Sequence, residues 1–427
     1  MESISKNDRS KLWLELWRDL FSSPIHLDSA ISKRPGPAKG WLAESFGVTL
    51  RRPTQVFKEA GIRTQGAEWW NWSPEQLAEW EGARKLSVFW SSFSSADAIR
   101  SRFKSGLAVE SDYPPEVLKK WVADFGPEVA KRLVDQFGQP PRVSVRLTQA
   151  LSPEEFLTQV KADSIHLGQA KPSRWAARGI VFNDYAPVLS APATKDGFEK
   201  GLFEIQDEGS QVMAAFALDP LTQMSLLSDR PTQSKPSLDL EALRNAKAPS
   251  PLNVIDACAG AGGKTLALAD LLHGRGRVYA YDTSLKKIQA LKKRVRGQAS
   301  NIQAMTIPNG EETQFLKKYA ASADIVLVDA PCSGWGVFRR NPDIKWRQDR
   351  EKLSEMPEIQ LRLLGEYQAL VKKGGRLVFG VCTFRPEEST AVVEAFGKKH
   401  PEFKSVGGGY LGPESCDGFY MFAWERS

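Results

Sequence analysis

Cysteine and histidine are both scarce in this 427-residue chain, with four of each. The cysteines are Cys258, Cys332, Cys382 and Cys416, all in the C-terminal half. They are too few for a disulfide framework in a chain this long, so free thiols, a reducing compartment and a cytoplasmic location are expected. No CxxC pair occurs and histidines are few, which argues against a structural zinc site; no metal is expected. No run of 18 apolar residues exists, so no membrane span is expected. The first residues, Met1 to Trp13, lack a basic start followed by an apolar stretch and do not read as a secretion signal. Two nucleotide fingerprints are missing from the Gly-rich stretch near residue 260. There is no GxGxxG, and Gly263-Lys264-Thr265 fails as a phosphate loop because residue 258 is Cys where that motif needs Gly.

What remains is an ordinary globular composition, 41% hydrophobic, with a net charge of +7 and a pI near 9.1. The basic balance favours a polyanionic partner without proving one. Residues 1–140 read as a helical domain. Ser73-Pro74-Glu75-Gln76 has the form of a capping box. Leu118, Trp121, Val122 and Phe125 share one helical face; Val129, Leu133, Val134 and Phe137 share another. Five tryptophans (Trp69, Trp70, Trp72, Trp80, Trp90) read as helix-packing aromatics in preference to base-stacking ones.

Residues 141–205 read as a small α/β unit. Its strands are Arg142–Leu147, Gly179–Phe182 and Leu202–Ile205, with a helix capped by Ser152-Pro153-Glu154-Glu155. Residues 206–427 form the third domain, interrupted by a Ser-, Pro-, Thr- and Asp-rich stretch at 221–250 that reads as a mobile insertion. From residue 252 strands and helices alternate. Strands are expected at Asn253–Asp256, Arg277–Asp282, Ile302–Ile307, Asp324–Asp329, Arg376–Val381 and Phe419–Trp424. Helices are expected near 264–273, 284–296, 354–372 and 386–399. Alternation with nearly continuous apolar strands predicts an α/β, Rossmann-like domain with a parallel, doubly wound sheet, which binds ligands beyond the carboxyl ends of its strands.

Three of those strand ends carry chemistry. The first opens into Cys258-Ala259-Gly260-Ala261-Gly262-Gly263-Lys264, where glycines let backbone approach a ligand. The second ends in Asp282, placed to accept from ribose hydroxyls. A Gly-rich turn with an acidic second strand signals an adenosyl ligand. The fourth ends in Asp329-Ala330-Pro331-Cys332 and the fifth in Val381-Cys382. A free cysteine is usually an inert small hydrophobe. Two converging on one cleft beside an aspartate point to thiol chemistry instead.

Taken in order, these motifs resemble the Sun-family RNA cytosine-5 methyltransferases. The resemblance covers residues 206–427 through Gln206–Gln211, DACAGAGGKT, DAPCSGWG, Arg339–Trp346, Cys382–Glu388 and Cys416–Tyr420. Tyr113–Arg142 is similar to the segment preceding this domain in the RsmB-like, rRNA-modifying branch, whose N-terminal domain is NusB-like. The family usually has Ser-Thr-Cys-Ser where this chain has Gly380-Val381-Cys382-Thr383, and its third strand usually ends in Asp where the nearest candidate here is Asn309.

The resemblance implies a class I methyltransferase domain that uses S-adenosyl-L-methionine. It implies that Cys382 attacks, Cys332 assists release and Asp329 contacts the cytosine ring. Residues 258–264, Asp282, Asn309 and Asp329 would hold the cofactor, and Lys264 would bridge cofactor and active site or serve as a plain helix-start lysine. Arg339, Arg340, Lys345, Arg174 and Arg178 are candidate phosphate contacts, each alternatively a solvated surface charge. Lys286, Lys287, Lys292, Lys293, Arg294 and Arg296 read as the solvated face of a sheet-packing helix. The expected partner is RNA, by resemblance rRNA, and a monomer is expected. Two other readings stay open: a DNA cytosine-5 methyltransferase with Cys332 as nucleophile, and a non-catalytic RNA-binding assembly factor.

Overall fold

The computed structural model describes the chain apart from residues 1–3, 23–25, 63–75, 77–79, 94, 97, 100–108, 110–111, 163–169, 183–191, 234–251, 296–300, 308–311, 347–348 and 415. Two compact units emerge: residues 1–140 with 337–349, and residues 141–336 with 350–427. Among the described residues no helix is long and apolar enough to cross a membrane.

The first unit is helical. Its described helices include Lys6–Ser22, Gly36–Arg51, Glu81–Ser91, Pro115–Phe125 and Pro127–Phe137. Its core is built on Trp13, Trp17, Phe46 and Trp90, all fully buried. Trp90 donates to Thr49 Oγ1 at 3.0 Å and Trp80 packs on Trp17 and Phe57, so these two tryptophans serve packing. Trp69, Trp70 and Trp72, and Ser73–Glu75 of the expected capping box, lie outside the described residues. In Pro115–Phe125 the buried face is Val117, Trp121 and Phe125; Trp121 and Phe125 were expected there, while Leu118 is half-buried and Val122 is exposed.

Residues 337–349 leave the α/β part of the chain and complete this helical core. Trp346 enters it and donates to the Leu50 carbonyl at 2.8 Å, while Phe338 packs on Trp121 and Phe137.

The second unit contains two sheets. The smaller joins β1 (Val143–Leu147), β2 (Ala170–Pro172), β3 (Gly179–Phe182) and β4 (Phe203–Ile205) in the order β2-β3-β1-β4, all antiparallel. With its two helices, Pro153–Ala162 and Pro192–Glu199, this is a split β-α-β arrangement of ferredoxin-like topology. The first helix starts with a reciprocal capping box: Ser152 N–H donates to Glu155 and Glu155 N–H to Ser152 Oγ.

The larger sheet has the order β10-β11-β9-β8-β5-β6-β7. Its strands are β5 (Leu252–Asp256), β6 (Gly276–Asp282), β7 (Ile302–Thr306), β8 (Ala323–Asp329), β9 (Val371–Val381), β10 (Phe403–Leu411) and β11 (Phe419–Arg426). Five strands are parallel, but β11 runs antiparallel to both β9 and β10. The sheet is therefore mixed, a correction to the all-parallel expectation. β10 escaped prediction because Gly407-Gly408-Gly409 erases its apolar alternation. Residues 221–233, expected to be part of a mobile insertion, instead contain a helical turn ending at Gln223, the 3-10 turn Met224–Leu226 and a bridge from Ser228 to Tyr410. Burial of Leu226 in the core fixes that stretch; residues 234–250 lie outside the described residues.

Strand order reverses at β5, with β8 on one side and β6 on the other. The crevice at such a switch point, beyond the carboxyl ends, is where open α/β sheets place their ligands.

Candidate active site

The turn leaving β5 opens on this crevice. Gly262 has φ +90°, and a Cβ there would lie 2.1 Å from Leu291 Cδ1, so the position demands glycine. Gly260 has φ +56° and open space where a Cβ would stand, leaving its backbone accessible to a ligand. Asp282, at the end of β6, takes the Gly260 N–H at 2.9 Å on one carboxylate oxygen and the Ser284 N–H at 2.8 Å on the other. Each oxygen keeps a lone pair for an incoming hydroxyl.

Two loop carbonyls are pinned from outside: Gln206 donates to Gly263 O at 3.1 Å, and Arg294 to Ala261 O at 2.8 Å while pairing with Glu204. Arg294 was expected on a solvated helix face; it is instead a strut of the loop. Beneath the loop, Asp256 is fully buried and accepts from Thr265 Oγ1 at 2.7 Å, and burial pushes its carboxyl up to about 7. Cys258 is half-buried in the loop, where burial raises its thiol.

The loops after β8 and β9 run side by side. Ala330 N–H donates to Gly380 O, Gly336 N–H donates to Cys382 O, and the Ser333 and Thr383 hydroxyls bond at 2.9 Å. Thr383, which stands where the family usually has Ser, thus retains a working hydroxyl. Val381 is buried in β9 and, by strand alternation, points away from the face carrying Cys382.

This lacing brings Cys332 Sγ to 3.3 Å from Cys382 Sγ. The Cys332 thiol is raised well above its usual range, first by its hydrogen bond to Cys382, then by burial and the nearby Cys382 and Glu388 charges. Lys264, from the cofactor-side loop, meets Asp329 at 2.6 Å with its ammonium 5.5 Å from the Phe419 ring centroid. Desolvation works against that ammonium, but the Asp329 charge and hydrogen bond outweigh it and leave its pKa raised. Cys332, Cys382, Asp329 and Lys264 are therefore one cluster, adjoining the Gly-rich loop and Asp282.

Other expected site residues lie elsewhere. Arg339 and Lys345 are buried in the helical unit, a correction to their expected phosphate contacts. Arg339 donates to Gln136 O; Lys345 donates to Arg51 O and Asp112 O, sits 3.8 Å from the Tyr113 ring centroid, and burial lowers its pKa to about 7. Their charges serve main-chain carbonyls, which leaves none for a phosphate. Arg178 is half-buried and donates to the Leu147, Thr148 and Leu151 carbonyls; Arg340 is half-buried and Arg174 exposed. Asn309 lies outside the described residues.

Residues 246–416 match the family described as 16S rRNA methyltransferase RsmB/F. This stretch of the chain is similar to RsmB/F-type methyltransferases. A probable ribosomal RNA small subunit methyltransferase B of Bacillus subtilis is 31% identical over 316 residues, 73% of this chain and 61% of that protein. The corresponding Photorhabdus laumondii protein is 27% identical over 60% of this chain and 51% of its own length. The chain thus spans about half to three fifths of these two curated relatives.

Among solved structures, PH0851 aligns over the full length of both chains with a TM-score of 0.69 and 19% identity. NSun6 from Pyrococcus horikoshii, solved with SFG, aligns over 73% of this chain and 98% of its own with a TM-score of 0.56 and 17% identity. The fold is that of class I S-adenosylmethionine-dependent methyltransferases.

Proposed function

We propose that this chain transfers a methyl group from S-adenosylmethionine to carbon 5 of cytosine in RNA, through a covalent cysteine adduct. The observation that carries this is the 3.3 Å thiol pair at the ends of two adjacent central strands, beside the Lys264–Asp329 ion pair. Carbon 5 of cytosine is too weak a nucleophile to accept a methyl group unaided. A thiolate adding to carbon 6 makes it enamine-like, and a base must then take the proton from carbon 5 so that the thiolate can leave. A site for this reaction needs an attacking thiolate and a base beside one ring, and two adjacent thiols can supply both.

In this assignment Cys382 attacks carbon 6, Cys332 serves release, and Asp329, oriented by Lys264, contacts the ring. The hydrogen bond to Cys382 that raises the Cys332 thiol, and the Cys382 charge beside it, both depend on an unsubstituted Cys382 sulfur. Both are lost once Cys382 becomes a thioether, which removes two of the influences holding the Cys332 proton and favours its loss to solvent before release, while burial and the Glu388 charge remain. Residues 258–264 and Asp282 fit the cofactor: Gly260 exposes backbone to open space and Asp282 offers free lone pairs. When bound, S-adenosylmethionine supplies an electrophilic methyl group. Asp329 and Asn309 complete the proposed cofactor contacts.

The RNA is ribosomal in this reading, supported by the names of the matched family and relatives. The exposed Arg174 is the foremost phosphate contact, with the half-buried Arg340 secondary, while Arg178 donates to three main-chain carbonyls. A cytoplasmic monomer with reduced thiols completes the proposal.

The test is transfer of radiolabelled methyl to rRNA fragments and to DNA. Cys382→Ala should neither methylate RNA nor form an adduct. Cys332→Ala should accumulate a protein–RNA species that survives denaturing electrophoresis in the presence of cofactor. Adduct trapped only in Cys382→Ala would move the nucleophile to Cys332 and overturn the assignment.

A further inference from the structure

The two thiol loops are joined by a charge that the reaction itself does not use. Glu388 lies six residues beyond Cys382 and is fully buried. Burying a carboxylate is costly unless its oxygens are fully partnered. Here one oxygen accepts from the Ser333 N–H at 2.8 Å and from Gln360 Nε2 at 3.1 Å; the other accepts from Arg385 Nη1 at 2.9 Å. The donors belong to three segments. Ser333 follows Cys332 directly, Arg385 lies three residues after Cys382, and Gln360 sits in the helix Arg350–Tyr367 behind both loops.

Each partner is itself fixed to a loop or to the helix behind them. Gln360 also donates to Pro331 O at 2.9 Å, on the near side of Cys332. Arg385 also donates to Leu353 O at 3.0 Å, and its guanidinium lies 5.6 Å from the Trp335 ring centroid. The main chain is therefore gripped at Pro331 and Ser333, on either side of Cys332, and the grip is referred to the Cys382 loop through Arg385.

We propose that Glu388 is a positioning residue for the thiol pair, holding the Cys332 loop against the Cys382 loop so that both sulfurs reach neighbouring atoms of one bound base. This rests on the two-thiol reading given above. Glu388 positions the loops through Ser333 N–H and Arg385, and its charge separately helps to hold the Cys332 thiol up. A displacement of one loop by about 1 Å would cost on the order of 100-fold in rate.

The experiment uses the full chain and two variants. Glu388→Gln keeps an acceptor for Ser333 N–H but turns an amide N–H toward Arg385, a donor facing a donor. Glu388→Ala removes both arms. The geometric readout is oxidation by diamide, which takes two hydrogens from Cys332 and Cys382 and is itself reduced to the hydrazine. The linked peptides are quantified by mass spectrometry. Wild type should cross-link rapidly. Glu388→Gln should cross-link about tenfold more slowly and lose about 10- to 100-fold in kcat, with Kd for S-adenosylmethionine within about twofold of wild type.

Cross-linking and kcat both at wild-type levels in Glu388→Gln and Glu388→Ala would overturn the proposal. So would a loss of cofactor affinity in proportion to kcat, which marks general damage to the domain. If Glu388→Ala does not fold, Glu388→Gln decides. If wild type transfers no methyl to cytosine yet its cross-linking still depends on Glu388, the reaction assigned above fails while the positioning role stands.

Discussion

Replacing Trp346 by alanine separates two views of the Arg339–Trp346 segment: a nucleic-acid contact, or part of the helical core. The indole is 8% exposed and donates to the Leu50 carbonyl near the end of the helix Gly36–Arg51. Truncating a buried tryptophan costs about 3–5 kcal/mol. Stranding the carbonyl adds about 1–3 kcal/mol. Even the low end, about 4 kcal/mol, is a large share of one unit's stability. The helical unit has about 150 residues, for which each kcal/mol moves Tm by about 2–4 °C. Trp346→Ala should therefore lower the Tm of that unit by about 8–16 °C. The measurement is scanning calorimetry on the full chain, with Arg174→Ala, at an exposed site, as the control expected to stay within about 2 °C. Cofactor affinity, which belongs to the other unit, should be retained below the first transition. A Tm shift below about 2 °C together with weakened RNA binding would refute the packing argument and restore the segment to the RNA interface.

Two further expectations concern the cofactor side. Asp282→Ala removes the acceptor proposed for ribose together with the anchor of Gly260 N–H, so S-adenosylmethionine should bind about tenfold more weakly by calorimetry, and unchanged affinity would displace the site. Asp256 has a folded-state pKa raised by burial to about 7, above an unfolded value near 3.9, so its stabilising protonated form is present below about pH 4 and is lost as pH rises through about 7. Wild-type Tm should then fall between pH 5 and 8 by more than that of Asp256→Asn; parallel curves for the two proteins would contradict it.

Most of the α/β sheet could be read from sequence because its parallel strands are short apolar runs closed by chemistry-bearing residues, as at Asp256, Asp282 and Asp329. The convergence of Cys332 and Cys382 was legible for the same reason: both follow strands of one sheet. What stayed hidden depended on distant partners. β2, only Ala170–Pro172, has no period to detect, and β10 carries three consecutive glycines. Arg294 looks like its lysine neighbours until Ala261 and Glu204 stand beside it. Lys345 and Arg339 have the composition of a surface motif, yet their donors end on carbonyls more than 200 residues away in the chain. Glu388 fell inside a recognised run without a role, since its partner Ser333 N–H is a backbone group that no side-chain pattern announces.

The loan of residues 337–349 to the helical unit has a consequence for biosynthesis. Residues 1–140 leave the ribosome first, but the side chain that seats against Leu50 is Trp346. At about 5–20 residues per second, translation takes roughly 10–40 s to pass from residue 140 to residue 349. Throughout that interval the nascent helical body carries an unfilled apolar socket lined by tryptophan and phenylalanine. Such a surface is a natural client for a holding chaperone. The body can seal only after β5 to β8 and the Cys332 turn have emerged, so its folding waits on segments that belong to the other unit.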